Sequence, residues 1–284
     1  DAWSDEPWVN EGAAVRVSLV CFGVDSHQAN LNGQQVAQIH ADLKSGDQSK
    51  ADLTTATILA SNANTVFLGT KKSGGFDIPG SMARTWLALP NPHCKSNAEV
   101  LSPWANGQEL VGRPQDKWII DFGTHMLEND ACYFEAPFHF VVSHIKPERE
   151  KNNRAIRAKY WWRLAETMPA MRRAIAPLHR FLASPRVSKH RVFVWLAASF
   201  IADDRLAIIA RADDTIFGIL SSRVHELWSL AQASMHGVGN DPTYNAKSCF
   251  ETFPFPPGLT PADTAHQRTE AVEGGALIPA DLPD

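Results

Sequence analysis

The sequence predicts an α+β fold, on two observations. Runs of β-branched and aromatic residues with strand composition recur along the 284 residues, at 13–23 (AAVRVSLVCFG), 118–122 (WIIDF), 192–195 (VFVW) and 206–210 (LAIIA). Among them, 146–182 and 215–231 carry apolar residues at helical spacing. The stretch that organises the chain is 184–196, SPRVSKHRVFVWL, where Arg186, Lys189, His190 and Arg191 occupy a turn-like segment opened by Pro185. They lead straight into the strand 192–195. A strand that enters a core with cations at its mouth holds those cations in place, and placed cations suit phosphates. A solvated strand end is the bland alternative.

Composition bounds the function. Hydrophobic content of 44% and charged content of 20% are those of an ordinary globular protein. A net charge of -4 excludes a uniformly basic nucleic-acid coat. The charge is unevenly spread, however. From Lys146 to Arg191 there are 13 Lys and Arg against three acids (Glu148, Glu150, Glu166), which is nearly half of the chain's 27 cations. Such a local excess is the footprint of a surface that faces a polyanion. Cys21, Cys94, Cys132 and Cys249 form no CxxC pair, which argues against structural zinc and for free thiols in a reducing cytoplasm. No apolar run reaches the roughly 18 residues of a membrane span, so no membrane partner is expected. The chain opens Asp-Ala-Trp without Met and no signal peptide is visible, which predicts a fragment of a longer protein.

Taken in order, residues 1–12 are polar and Trp-containing. The strand 13–23 is apolar on both faces, as in a buried strand of a mixed sheet, and such a strand implies partners upstream. Residues 25–57 read as loops with a hairpin through 30–33. A strand at 64–70 precedes a flexible basic turn, Lys71-Lys72-Ser73-Gly74-Gly75. A helix follows at 81–89 with Ser81 as N-cap, ended by Pro90-Asn91-Pro92. In 146–182, Ile156, Tyr160 and Leu164 form one apolar stripe. Pro169 breaks it, and Met171, Ile175, Leu178 and Leu182 form a second, kinked at Pro177. Residues 206–210 are expected to partner the strand 192–195, with Asp203-Asp204 at the turn. The helix 215–231 presents Phe217, Leu220, Val224, Leu227 and Trp228 to a core. A glycine-rich polar loop, 234–247, leads to the aromatic, proline-locked segment 250–256. After Gly258 the chain turns acidic and Pro/Gly-rich, a loose tail.

No catalytic constellation emerges: there is no Gly-rich phosphate loop, no GxSxG and no HExxH. His225-Glu226 lacks a later His at metal-ligand spacing and reads as a helix-surface or capping pair, so no metal site is assigned. Asp213-Asp214 read as helix-start charges favoured by the dipole. Of Trp161-Trp162, one is expected in the core. The loop 234–247 is the recognition candidate, with Asn240, Asp241, Thr243, Tyr244, Asn245 and Lys247 as base-reading side chains. An ordinary surface loop is the competing reading. Arg186, Ser188, Lys189, His190, Arg191 and Arg223 are assigned to phosphates.

Eight ordered motifs, WSDEPWVNEGAAVRVSLVCFG, PNPHCKSN, WIIDFG, IKPEREKNNR, YWW, SPRVSKHRVFVWL, FGILSSRVHELW and CFETFPFP, resemble the C-terminal part of MmeI-like type IIL (IIG-class) restriction-modification enzymes and their adenine-specific methyltransferase relatives. The resemblance implies that 1–57 is the end of a methyltransferase domain with its connector, 58–259 a target recognition domain, and 260–284 a loose acidic tail. It implies double-stranded DNA and an upstream methyltransferase domain as partners. S-adenosylmethionine is then a cofactor of the parent protein, not of this chain. The family's cofactor glycine motif, its NPP[FY] catalytic motif and its endonuclease do not occur here, so the fragment itself is expected to be non-catalytic. The family's base-reading loop falls on residues 239–243. Many relatives read DPRYT there, whereas this chain has Asp241-Pro242-Thr243-Tyr244-Asn245, with Thr in place of a guanine-reading Arg. Two rival functions remain: a protein-interaction module whose basic helix binds an acidic partner, and a small hydrolase working through acids such as Asp213 and Asp214.

Overall fold

The structure, a computed structural model, describes residues 1–23, 28–46, 53–236, 241–265 and 269–279. The strands that build its main sheets are β1 (Ala2–Asn10), β2 (Ala13–Val20), β3 (Ala29–Leu31), β4 (Gln34–Val36), β5 (Val66–Leu68) and β6 (Asp77–Pro79). After them come β7 (Leu101–Ala105), β8 (Lys117–Ile120), β9 (Arg180–Pro185), β10 (Val194–Ala197), β11 (Ile201–Ala202) and β12 (Leu206–Ile209). They form three four-stranded sheets in the orders β2-β1-β3-β4, β10-β9-β12-β5 and β11-β7-β8-β6, with helices between and over them. The fold is α+β, as the sequence predicts.

The centre of the molecule is β9 and β12. β12 is apolar throughout and β9 is apolar over residues 181–183, because both of their faces are covered there. Side chains alternate between two cores: Leu182, Ala207 and Ile209 face Phe193, Ile216, Leu220, Tyr244 and Phe250, while Phe181, Ala183, Leu206 and Ile208 face Met171 and Leu196. A third core fills the sheet of β6, β7 and β8, where Phe76, Ile119, Ile120 and Phe122 pack with Phe134, Val141, Trp161 and Trp162. The two sheets join at Thr70, whose N–H donates to the Ala202 carbonyl at 2.7 Å, next to Gly69. A Cβ at Gly69 would lie 2.0 Å from the Asp203 carbonyl oxygen, so only glycine lets the strands approach this closely.

Several expectations change at this level. The strand 13–23 exists as β2, but it is a hairpin arm paired antiparallel with β1, not a buried central strand. Val15, Leu19 and Val20 are 39–55% exposed and Phe22 is 95% exposed, because the described residues do not cover these side chains. The hairpin through 30–33 forms as β3 and β4, turning on Asn32 and Gly33 with φ of 51° and 78°. Residues 206–210 do not partner 192–195. β9 lies between β10 and β12, and its residues 184 and 185 belong to the strand, not to the turn. Consequently Leu182 is a strand residue; the helix before it, Pro169–Ile175, ends ahead of Pro177. The helix expected at 81–89 starts one residue earlier, as Gly80–Leu87 with Pro79 at the N-cap position and no side-chain cap, so Ser81 is inside it.

The basic region is not two amphipathic helices but three short ones, Lys146–Glu150, Ala155–Lys159 and Pro169–Ile175. The stripe fails at Ile156, which is 63% exposed. Trp161 and Trp162 lie in a turn after the second helix, and both are buried. The helix expected over 215–231 is two helices, Asp214–Ser221 and Arg223–Ala231, separated by Ser222, which caps the second through the His225 N–H. That break rotates the inward face. Val224 and Leu227 therefore point to solvent, at 69% and 52% exposure, and His225 and Ser229 point in. No helix among the described residues is long and apolar enough to cross a membrane.

The segment after Gly258 is anchored at its start. A capping box of Thr260 and Asp263 opens the short helix Pro261–Thr264. Arg211 reaches it from the core, donating to the Pro261 carbonyl at 3.0 Å and to the Thr264 hydroxyl. The same guanidinium pairs at 3.1 Å with Asp213, whose other oxygen accepts the Ile216 N–H at the start of the helix Asp214–Ser221. Asp213, read from the sequence as a helix-start charge, is the cap of that helix and also the counter-charge of a buried arginine. A tail whose first residues fill a core cannot be loose there.

Candidate nucleic-acid interface

Two separate stretches of sequence meet at one place in the fold. Beyond β9 the chain continues extended, and residue Val187 bridges antiparallel to Thr243. The Tyr244 N–H donates to the Arg186 carbonyl at 2.6 Å, and the Ser188 N–H to the Pro242 carbonyl at 3.4 Å. The basic segment and the recognition loop are therefore neighbouring extended strands. A second pairing, Met235–His236 with Asp241–Pro242, closes the loop on its other side. Asn240, with the rest of 237–240, lies outside the described residues.

Beneath this pair sits an aromatic floor. Tyr244 is 1% exposed, and its hydroxyl shares a 2.9 Å hydrogen bond with His225 Nε2. Phe193 packs edge-on against Tyr244 at 5.7 Å between centroids, and Phe253 against His225 at 4.5 Å. Trp228 covers Phe253 and donates from Nε1 to Thr252. Burial, with the Arg191 charge nearby, pushes the His225 pKa down to about 3, so the ring is neutral at physiological pH. Burial likewise pushes the Tyr244 phenol well above its usual value. The anchor 250–256 is tied from the far end of the chain. Asn62, fully buried, donates from its amide to the carbonyls of Phe250, Glu251 and Phe253 at 3.2, 3.2 and 2.8 Å. Nothing local in the sequence marks Asn62 for this role, because its partners lie about 190 residues away.

The structure sorts the expected site residues. Among the base-reading set, Asp241 and Asn245 are half-buried and Lys247 is exposed. Thr243 is half-buried and braces the loop: its hydroxyl donates to the Ser234 carbonyl at 2.7 Å, and Asn245 donates to that hydroxyl at 3.2 Å. Tyr244 must be removed from the set, since a ring facing the core cannot reach a base edge. Among the phosphate set, Lys189 and His190 are exposed, and the Ser188 hydroxyl donates to the His190 carbonyl. Arg186 is half-buried with one N–H on the Asp204 carbonyl at 3.2 Å. Arg223 is exposed but already paired with Glu226 at 2.6 Å. Arg191 is a correction: its guanidinium stacks 4.7 Å above the Tyr244 ring, and burial depresses its pKa. Its Nη1 donates to the Pro185 carbonyl at 3.4 Å, which together with the ring stack holds it in the floor. His225, expected on the helix surface, is the most buried member of the floor. Among the described residues no group of three His, Cys, Asp or Glu is placed to hold a metal ion.

No protein-family model and no curated protein matches this chain. A solved structure does: the type IIL restriction-modification enzyme MmeI in complex with DNA, at 16% sequence identity and a TM-score of 0.60. The match covers 89% of this chain and 35% of that one, so the chain spans about a third of the enzyme it resembles. At such identity the likeness is one of fold, and the fold of this chain is related to the part of MmeI that it covers.

Proposed function

We propose that this chain recognises a specific sequence in double-stranded DNA, as the target recognition region of an adenine-N6 DNA methyltransferase or restriction-modification enzyme. The methyltransferase chemistry and the S-adenosylmethionine site belong to other parts of that parent protein, and this chain contributes no catalytic group. One observation carries the reading: residues 186–188, from the basic stretch, pair with 242–244, from the polar loop. That pairing presents cations and varied polar side chains together on a floor of packed aromatics, which is the division of labour that DNA reading needs. The fold shared with MmeI, an enzyme seen in complex with DNA, supports it.

The test is selection of duplexes from a randomised DNA library by the intact chain. A recovered consensus is the expected result; a library that emerges unchanged overturns the proposal. Lys189→Ala and Arg186→Ala should weaken binding to every duplex alike and flatten the salt dependence by about one unit of slope each. If either variant instead alters the consensus, that residue reads bases.

A second expectation concerns the loop. Thr243 is too short to fork onto guanine, and its hydroxyl is occupied by Ser234. An arginine at this position reaches further, and a bidentate contact to guanine N7 and O6 discriminates by about 1–3 kcal/mol. Thr243→Arg should therefore shift the preferred base toward guanine at one position, while Asp241→Ala should relax the same or a neighbouring one. An unchanged consensus from both folded variants would mean that the loop does not read the sequence.

A further inference from the structure

We infer that a cleft lined by Arg149, Arg157 and Arg163, on the far side of the basic region from the loop residues in sequence, is a binding site for a phosphate group. The cleft has a volume of about 140 Å³ and is lined also by Thr124, Tyr160 and Thr167; no carboxylate lines it. Arg149, on the helix Lys146–Glu150, is 3% exposed. Its Nη2 donates to the Lys72 carbonyl at 2.8 Å, and its guanidinium stacks 5.4 Å from the Phe76 ring. Its Nε and Nη1 are buried and have no hydrogen-bond partner among the described residues.

A buried guanidinium normally faces an acid, because an unpaired charge in a poorly solvated place is costly. Glu148 and Glu150 flank it in sequence, Glu150 faces Lys146 at 4.0 Å, and among the described residues no carboxylate pairs with Arg149. Arg157 instead adds a second positive charge, and burial together with this neighbour lowers the Arg149 pKa to about 10. Two guanidiniums beside one cleft, with no carboxylate in its lining among the described residues, suit an oxyanion. The neighbours hold the geometry. Arg157 donates to the Ser73 hydroxyl at 3.2 Å, and Arg163 is fixed by the carbonyls of Thr124 and Met126, at 3.0 and 2.7 Å. Arg149, Arg157, Thr124 and Thr167 all line the space that a phosphate would take. These residues are distinct from the cations assigned above to phosphate contacts. The phosphate can belong to a DNA backbone, which rests on the proposed function, or to a free phosphorylated ligand, which does not.

The experiment has two arms. In one, inorganic phosphate is titrated calorimetrically into the intact chain and into Arg157→Gln. In the other, the salt dependence of affinity for duplex DNA is compared between the same proteins. Arg149→Met serves as a second variant, with circular dichroism to establish that it folds, since Arg149 also anchors the Lys72 carbonyl. Phosphate binding weakened at least tenfold in Arg157→Gln, with the DNA salt slope unchanged, assigns the cleft to a free phosphorylated ligand. A slope reduced by about one unit assigns it to the DNA backbone, whether or not free phosphate binds. Phosphate binding that depends on Arg157 in a chain that binds no duplex sinks the proposed function and leaves the cleft standing. Indifference of both arms to Arg157 overturns the inference.

Discussion

Asp213→Ala is expected to destabilise the chain by about 3–5 kcal/mol, the largest effect of any single change considered. The reason lies in where the charges are. Arg211 and Asp213 are 8% and 4% exposed, and the carboxylate is the only acid that the Arg211 guanidinium meets among the described residues. Removing it leaves a cation with nothing but the Pro261 carbonyl and the Thr264 hydroxyl, and it also strips the cap from the helix Asp214–Ser221. Burial already lowers the Arg211 pKa against the opposing pull of Asp213, so the loss of that pull is felt in full. Urea unfolding of the two proteins measures it. Asp213→Asn, which keeps an oxygen for the Ile216 N–H, should lose less. A loss below 1 kcal/mol for Asp213→Ala would show that the pair is solvated in solution.

The second large effect is a response to acid. His225 has a folded pKa of about 3, against an ordinary value near 6.5 in the unfolded chain. Between those values the unfolded state binds the proton and the folded state does not. Stability from this group is therefore complete above pH 6.5 and is lost as pH falls toward 3, on the order of 5 kcal/mol at about 1.4 kcal/mol per pKa unit. A protonated His225 would place a second cation beside Arg191, under Phe193 and Phe253 and against the Tyr244 hydroxyl. The floor of the recognition loop should therefore give way first. The measurement is unfolding free energy at pH 7 and pH 4 for the protein and for His225→Gln, with Trp228 fluorescence reporting the floor. The carboxylates contribute equally to both, so the variant should lose much less between the two pH values. Equal losses would mean that His225 does not stay neutral in the folded state.

The two effects bear on the same surface. The helix Asp214–Ser221 that Asp213 caps packs on the β9–β12 sheet, and the helix Arg223–Ala231 that carries His225 follows it directly. Loop 234–247 grows from the end of that second helix. Its reading side chains are thus only as well placed as the caps and the aromatic floor below them allow, which makes stability and specificity measurements on these variants complementary.

The sequence alone determined the α+β class, strands within 118–122, 192–195 and 206–210, though β10 starts only at Val194, the hairpin turn at Asn32-Gly33, Asp213 as a helix-start charge and the concentration of cations between Lys146 and Arg191. All of these are local properties: β-branched composition, a turn that needs positive φ, an acid at a helix start, and charge that can be counted. Tertiary structure decided which strand pairs with which, and so placed β9 between β10 and β12. It decided that Arg191, His225 and Tyr244 turn inward whereas Phe22, Val224 and Leu227 turn outward. Burial of a side chain depends on the layer that covers it, and that layer is supplied by residues far away in the chain, as Asn62 supplies the tether for 250–256. A one-residue break at Ser222 rotates a helix face, and a strand register slips every side chain to the other side. The pairing of 186–188 with 242–244 is of the same kind. The chemistry of each partner is written in its residues, but their meeting depends on the β9 strand and the Tyr244 floor that hold them together.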